Sequence, residues 1–336
     1  MASQGQFSKY GLTEKILTRS TLKKKEATVN PVKVFAEMIL KMDLLNGKTP
    51  LQKIQDYSED HSFMINLYDS TVDFNPQIEQ AIFEEKPDCF ILDHFLGIFS
   101  ACGIKVKNSV DSFVLNPYLN LYGFPKELDY DDIVPIPPKT IRVDAFCREN
   151  STFDTTFELP ESFVKKPGKI IYLSMGSMGS IEINLMKRIL RVIEKTKYKC
   201  IVSKGVRADE YSLPDNCWGE AFLPQTRILP LCQLVISHGG NNTVCESVCF
   251  GKPIIVLPLF SDQIDNSQRI QEKGFGLRME VNFEENALLN AIDKLINDDL
   301  LQEKLTNVAK RIKEDNSKAQ ACKEIERLLE TEWIKK

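Results

Sequence analysis

At 336 residues, with 43% hydrophobic and 27% charged residues, the chain has the length for two domains and the composition of a globular protein. A formal charge of -4 gives no electrostatic basis for a nucleic-acid or anionic-membrane partner, and the run Lys23-Lys24-Lys25 reads as a solvated surface. The nine cysteines form no Cys-x-x-Cys pair. Cys245 and Cys249 stand one helical turn apart with no further ligand at metal spacing, so free thiols in a reducing compartment are expected.

Along the chain, the N-terminus lacks the pattern of a signal peptide and no apolar run approaches bilayer length, so a cytoplasmic protein without a membrane anchor is expected. Asn75-Pro76 reads as a cap followed by proline in a first helical turn, with Pro87 closing that helix. Cys89 to Asp93 is a candidate buried strand. Leu128 to Pro138 is acidic and then proline-rich, which predicts a loop. Within it Asp129-Tyr130-Asp131 has the form of a metal-binding Asp-x-Asp, but it precedes a proline cluster rather than following a nucleotide-binding strand, so a solvated loop is expected. Residues 1–150 are assigned to a first α/β domain and 151–168 to a linker.

From residue 169 the pattern alternates regularly. Lys169 to Ser174 is an apolar strand, followed by the turn Met175 to Ser180. A helix follows with Leu185, Ile189, Val192 and Ile193 on one face. Cys200 to Val202, Leu234 to Ser237 and Ile254 to Leu257 are further strands, with a helix over Asn242 to Phe250 ended by Gly251 and Pro253. Strand, helix and strand at this spacing make parallel crossover units, so 169–318 is expected to be an open α/β sheet. The last segment is helical, with Leu301, Leu305, Val308 and Ile312 on one face and Cys322, Ile325 and Leu329 on another.

The local signal that carries chemistry is Ser237-His238-Gly239-Gly240-Asn241-Asn242-Thr243, between a buried strand and a helix start. Ligands of open α/β sheets bind at the carboxyl ends of strands. A helix N-terminus offers unpaired N–H groups and a positive dipole end to an anion, and glycine permits close approach, here at Gly240. Asn242, Thr243 and His238 add side-chain donors. Glu246, one turn deeper on the same face, is placed to accept from two ribose hydroxyls. An ordinary strand-to-helix turn with a capping Asn would show the same residues. Phe222 with Gln225 offers an aromatic face and a polar group for a flat base. Asp262-Gln263, after the next strand, offers an acceptor and a donor for sugar hydroxyls, although each of these pairs also suits a plain loop.

Taken together, Phe222 to Asn266 resembles the donor-binding signature of UDP-glycosyltransferases of the GT-B type. That resemblance implies two Rossmann-like domains facing a cleft, the N-terminal one incomplete, and a last helix, 319–336, returning to the N-terminal domain. It implies transfer of a hexose from a UDP-sugar, with UDP-glucose favoured, to a hydroxyl of a small lipophilic acceptor, with inversion and without a metal or other cofactor. Carried over by position, Phe222 stacks on uracil and Gln225 touches the nucleoside. His238, Gly240, Asn242 and Thr243 hold the diphosphate with Ser177 closing over it. Glu246 binds the ribose, and Asp262 and Gln263 the sugar.

Members of this kind use an N-terminal catalytic His oriented by an Asp. Asp93 matches the Asp. The histidines are His61, His94 and His238, and none stands where the resemblance puts the base. A shortened acceptor domain is therefore expected. The alternative is a UDP-sugar-binding remnant without transferase activity.

Overall fold

The computed structural model describes residues 115–147 and 157–333, together with 13–14, 40, 52, 74, 76–89 and 91. The chain divides into two compact units, one of 1–31, 49–120 and 321–336, the other of 32–48 and 121–320.

In the first unit the helix expected after Asn75 is present over 76–85, here α1, while Asn75 itself lies outside the described residues. The helix stops at Lys86, whose φ is 46° and whose N–H still bonds to the Ile82 carbonyl. Pro87 explains the stop, because its ring disfavours a helical residue before it. Cys89 and Ile91, the described members of the expected buried strand, are instead exposed and irregular. Asp93 and His94, like His61, fall outside the described residues.

The second unit is built on a six-stranded sheet. Its strands are β3 (Ile170–Ser174), β4 (Lys199–Ser203), β5 (Cys217–Glu220), β6 (Leu234–Ser237), β7 (Ile254–Val256) and β8 (Gly276–Arg278). All five pairings are parallel, in the order β5-β4-β3-β6-β7-β8. The central strands β3, β4, β6 and β7 are buried almost without interruption. Parallel strands covered on both faces read as continuous apolar runs, so these were visible in the sequence. The edge strands β5 and β8, Cys-Trp-Gly-Glu and Gly-Leu-Arg, carry no such run, and the sequence reading did not include them.

Helices cover the sheet. The turn expected at 175–180 is a one-turn helix, α3 (Gly176–Gly179). The next helix, α4 (Ile183–Glu194), buries Leu185, Ile189, Val192 and Ile193 as their spacing requires, together with Met186 and Leu190. Two short turns, α2 (Glu161–Val164) and α5 (Gln225–Ile228), flank the sheet. α8 (Glu285–Ile296) packs with α4, and α6 (Asn241–Cys249) packs with α7 (Asp262–Glu272) and α9 (Asp299–Lys313). In the last helix, α10 (Ser317–Trp333), Ile325 and Leu329 of the expected face are half-buried, while Cys322 is exposed and its neighbour Ala321 is buried.

The segment before the sheet also departs from expectation. Residues 121–147 belong to the second unit and not to a domain ending near 150. They form the two-stranded pair β1 (Asn120–Tyr122) and β2 (Thr140–Arg142). Phe124 and Leu128 are buried in the same hydrophobic core as Val244, Val248, Leu305 and Ile312. Part of the expected linker joins them, since Phe163 of α2 is buried there and packs on Trp218. Asp129 is likewise not in a solvated loop. Its carboxylate bonds to Arg142 at 2.7 Å and Arg269 at 3.0 Å, with only 12% of its side chain exposed. Tyr130 donates to Glu272 and lies under the cations of Arg269 and Lys273. Of these partners Arg142 is 13 residues from Asp129, while Arg269 and Glu272 are 140 and 142 residues from theirs, so composition alone makes the segment look solvated.

Candidate nucleotide-sugar site

Numbered from β3, the strand order is 3-2-1-4-5-6, the doubly wound arrangement in which chain order reverses between the first and fourth strands. Ligands bind outside the carboxyl ends at that reversal. Here it lies between β3 and β6, which puts α3 and the His238 loop side by side.

The His238 loop is shaped by its glycines. Gly239 has φ +88°, and a Cβ there would stand 2.5 Å from the Val256 side chain, so only glycine fits. Cβ atoms added at Gly176 or Gly240 would each come to 2.6 Å from the His238 ring. The Cε1–Nε2 edge of the imidazole therefore lies between two bare backbone segments, one from each loop. Burial pushes the His238 pKa down to about 4, against the opposing effect of a hydrogen bond to the Ser174 backbone. At neutral pH the ring is an uncharged donor–acceptor, with the Ser237 hydroxyl 3.3 Å from Nδ1.

α6 starts directly after this loop, with Gly240 as its cap residue and no side-chain cap. The first-turn N–H groups have no intrahelical carbonyl. That of Asn241 is taken by the Asp262 carboxylate at 3.1 Å. Asn242 and Thr243 follow on the same turn, with Asn242 exposed and Thr243 buried.

Beside them is a cavity of about 180 Å³ lined by Tyr172, Ser177, Phe222, Gln225 and Thr243, among others. That is below the usual 300–1,000 Å³ of a whole-ligand pocket and suits one flat ring of a larger ligand. Phe222 is 60% exposed at its edge. Gln225, at the start of α5, donates from Nε2 to Glu246 at 2.6 Å and to Thr243 Oγ1 at 3.4 Å. Five of the residues singled out in the sequence, Ser177, Phe222, Gln225, Thr243 and Glu246, thus meet at one cavity or its wall.

Asp262 and Gln263 start α7. Asp262 Oδ2 accepts from the Asn241 N–H and from Asn266 Nδ2, both at 3.1 Å, and burial raises its pKa against those hydrogen bonds. Gln263 is placed differently from its neighbour. It is 2% exposed, and its Oε1 accepts the N–H groups of Leu259 and Phe260 at 2.9 and 3.2 Å. Its oxygen therefore shapes the loop after β7, which leaves only its amide nitrogen for a ligand.

The sequence reading missed Tyr172, Ser203 and Gly205, which line the cavity, and Asn266. Ser203 ends β4 and Gly205 follows it as Gly176 follows β3, so the rule of carboxyl ends would have found them. Asn266 stands four residues after Asp262, the spacing of neighbours on a helix face.

Residues 134–318, more than half of the chain, match the family model described as UDP-glucoronosyl and UDP-glucosyl transferase. The chain belongs to this family. Among curated proteins it is 25% identical over 211 residues to a sterol 3-beta-glucosyltransferase of Vanderwaltozyma polyspora, covering 57% of this chain and 16% of that protein. It is 28% identical over 215 residues to human UDP-glucuronosyltransferase 1A6, covering 61% and 39%. The chain thus matches well under half the length of either relative. Among solved structures, the glycotransferase of kitacinnamycin aligns with a TM-score of 0.66 at 18% identity, over 79% of this chain and 82% of that one. Spinosyn rhamnosyltransferase SpnG, complexed with thymidine diphosphate, aligns at 0.62 and 17% identity, over 93% and 86%. At these identities the likeness is one of fold, and the fold of this UDP-glycosyltransferase family member is the α/β, Rossmann-like GT-B type. No helix among the described residues is long and apolar enough to cross a membrane.

Proposed function

We propose that this UDP-glycosyltransferase family member transfers a hexose from a UDP-sugar to a hydroxyl group of a small lipophilic acceptor, with inversion and without a metal. The observation that carries the proposal is the neutral His238 held against Gly176 and Gly240 at the uncapped start of α6. A diphosphate there would meet the N–H groups of Asn242 and Thr243, the hydroxyl of Thr243 and the His238 ring. The anion would be held by the oriented dipole and free N–H groups of the α6 start. Uracil would stack on Phe222 and fill the cavity, with its ribose hydroxyls on Glu246. Asp262 would accept from the sugar and Gln263 contribute its amide N–H. A neutral hexose such as glucose suits this end, because no cation adjoins Asp262-Gln263 in sequence.

In this reading the acceptor oxygen attacks the anomeric carbon as the bond to the β-phosphate oxygen breaks. The acceptor proton passes to a base, and the electron pair leaves with UDP. Negative charge grows on the β-phosphate, where prearranged donors count most because they need no reorganisation. Asp93 would orient the base. The base itself is assigned to neither His94 nor His61. No cofactor beyond the donor substrate is proposed, and the site of action is taken as the cytoplasm.

A second reading follows from the histidines. Of the three, His238 belongs to the donor site, and neither other matches the base position implied by the resemblance. On that reading the chain binds a UDP-sugar without transferring it. The test is incubation with UDP-glucose and a panel of small phenols, with products sought by mass spectrometry. Glycosylated product that disappears in His238→Ala is the expected result. No product from folded protein that still binds UDP would select the second reading.

A further inference from the structure

The two loops of the donor site are joined through one side chain that neither strand pattern nor motif assigns. Asn266 is 6% exposed. Its Nδ2 donates to the Gly239 carbonyl at 2.9 Å and to Asp262 Oδ2 at 3.1 Å. The same Oδ2 accepts from the Asn241 N–H at 3.1 Å. One carboxylate oxygen is therefore held by two donors, the Asn266 amide and the first N–H of α6, while Asn266 also grips the glycine loop that precedes α6. The preceding residue, Ser261, has φ 56° and ψ -140°, a conformation costly for any residue with a side chain and sustained only when surrounding contacts over-determine it. The position of Asp262 is thus fixed from both sides.

We infer that Asn266 is the positioning residue that sets the Asp262 carboxylate against the diphosphate loop, and so fixes where the sugar lies relative to its phosphates. The inference rests on the proposed reading that α6 receives the diphosphate and Asp262 the hexose. The physical need is plain. A carboxylate beside a diphosphate is repelled by it and would turn to solvent if its anchors were removed. A neutral amide donor holds one oxygen in place without adding a charge, which leaves the other oxygen to accept from a sugar hydroxyl. Lys or Arg at position 266 would anchor the carboxylate too, but would neutralise the acceptor that the sugar requires.

The test is calorimetric binding of UDP and of UDP-glucose, UDP-galactose and UDP-glucuronate to the full chain. It compares wild type, Asn266→Leu, Asp262→Asn and the double variant, with thermal unfolding to verify folding. The quantity of interest is the affinity of the preferred UDP-sugar divided by that of UDP. Asn266→Leu is expected to lower this ratio about tenfold, the scale of one well-placed hydrogen bond, over and above any loss of UDP affinity that follows from releasing the Gly239 carbonyl. The double variant should lose no more than Asp262→Asn alone, because the two residues act as one unit. Should Asn266→Leu fail to fold, Asn266→Ser removes the reach to Asp262 with a smaller change and carries the same expectation. An unchanged ratio, equal losses for UDP and the UDP-sugar, or additive effects in the double variant would overturn the inference and leave the donor-site reading intact. Wild-type protein that binds no UDP would overturn both.

Discussion

Gln225 Nε2 lies 2.6 Å from Glu246 Oε2, so the start of α5 and the middle of α6 share a hydrogen bond beside the cavity. In the proposed complex the carboxylate accepts from ribose hydroxyls as well. Glu246→Ala should then weaken UDP binding about 10–100-fold, the range for a charge-assisted bond. The 2′,3′-dideoxy analogue, which lacks both hydroxyls, should bind the variant and the wild type nearly alike. Parallel losses for UDP and the analogue would remove Glu246 from the ribose.

The bare backbones on either side of His238 make a steric prediction. Gly240→Ala places a methyl group 2.6 Å from the ring, and Gly176→Ala does the same at a residue with φ +68°. Each should cost about 1–3 kcal/mol by overpacking, with strain added at Gly176. Urea denaturation measures this. In the double variant Gly240→Ala/His238→Ala much of the cost should be relieved, since the clash is with that ring.

Burial lowers the His238 pKa to about 4 from the ordinary 6.5 of histidine, and the sign of its pH effect follows. Between pH 6.5 and 4 the unfolded chain binds the proton and the folded chain does not. Stability from this group is complete above pH 6.5 and falls as the pH drops, by at most about 3 kcal/mol. His238→Asn should flatten that part of the profile. A bound diphosphate favours the imidazolium and so raises the folded-state pKa towards 6.5, which should narrow the window and make the loss smaller in saturating UDP. Urea midpoints measured across pH 4–7.5 for both proteins, with and without UDP, test each statement.

The segment 121–147 is pinned to α9 through Arg311, which bonds to Glu127 and Asp144. Asp144 is 4% exposed, its pKa raised by burial against the attraction of Arg311. Removing this cation leaves the buried carboxylate with only the more distant Arg142, 4.0 Å from its other oxygen, so Arg311→Met should cost about 2–4 kcal/mol, below the fully buried limit because Arg311 is partly exposed. Adding Asp144→Asn should recover much of that loss. An additive result in the cycle would show that the pair is not coupled.

The sequence made some of this architecture legible and hid the rest for physical reasons. β3, β6 and β7 announced themselves because a parallel strand covered on both faces is apolar throughout. The Ser237–Thr243 motif marked the carboxyl end of β6, where glycine and small polar residues crowd into the turn before α6. Edge strands β5 and β8 stayed hidden, since half of their surface needs no apolar cover. Asp129 was misplaced because its partners Arg142 and Arg269 come together only in the fold. Gln263 looked equivalent to Asp262 although neighbouring helix positions point in different directions, and here it is Gln263 that is turned inward.

In the proposed complex the start of α6 and the His238 loop hold the diphosphate of a UDP-sugar. Calorimetric titration of the full chain with UDP tests it most directly, alongside His238→Ala. The account predicts one bound UDP per chain in the wild type and binding weaker by at least about tenfold in the variant. Absence of binding to folded wild-type protein, or equal affinity in the two proteins, would contradict it.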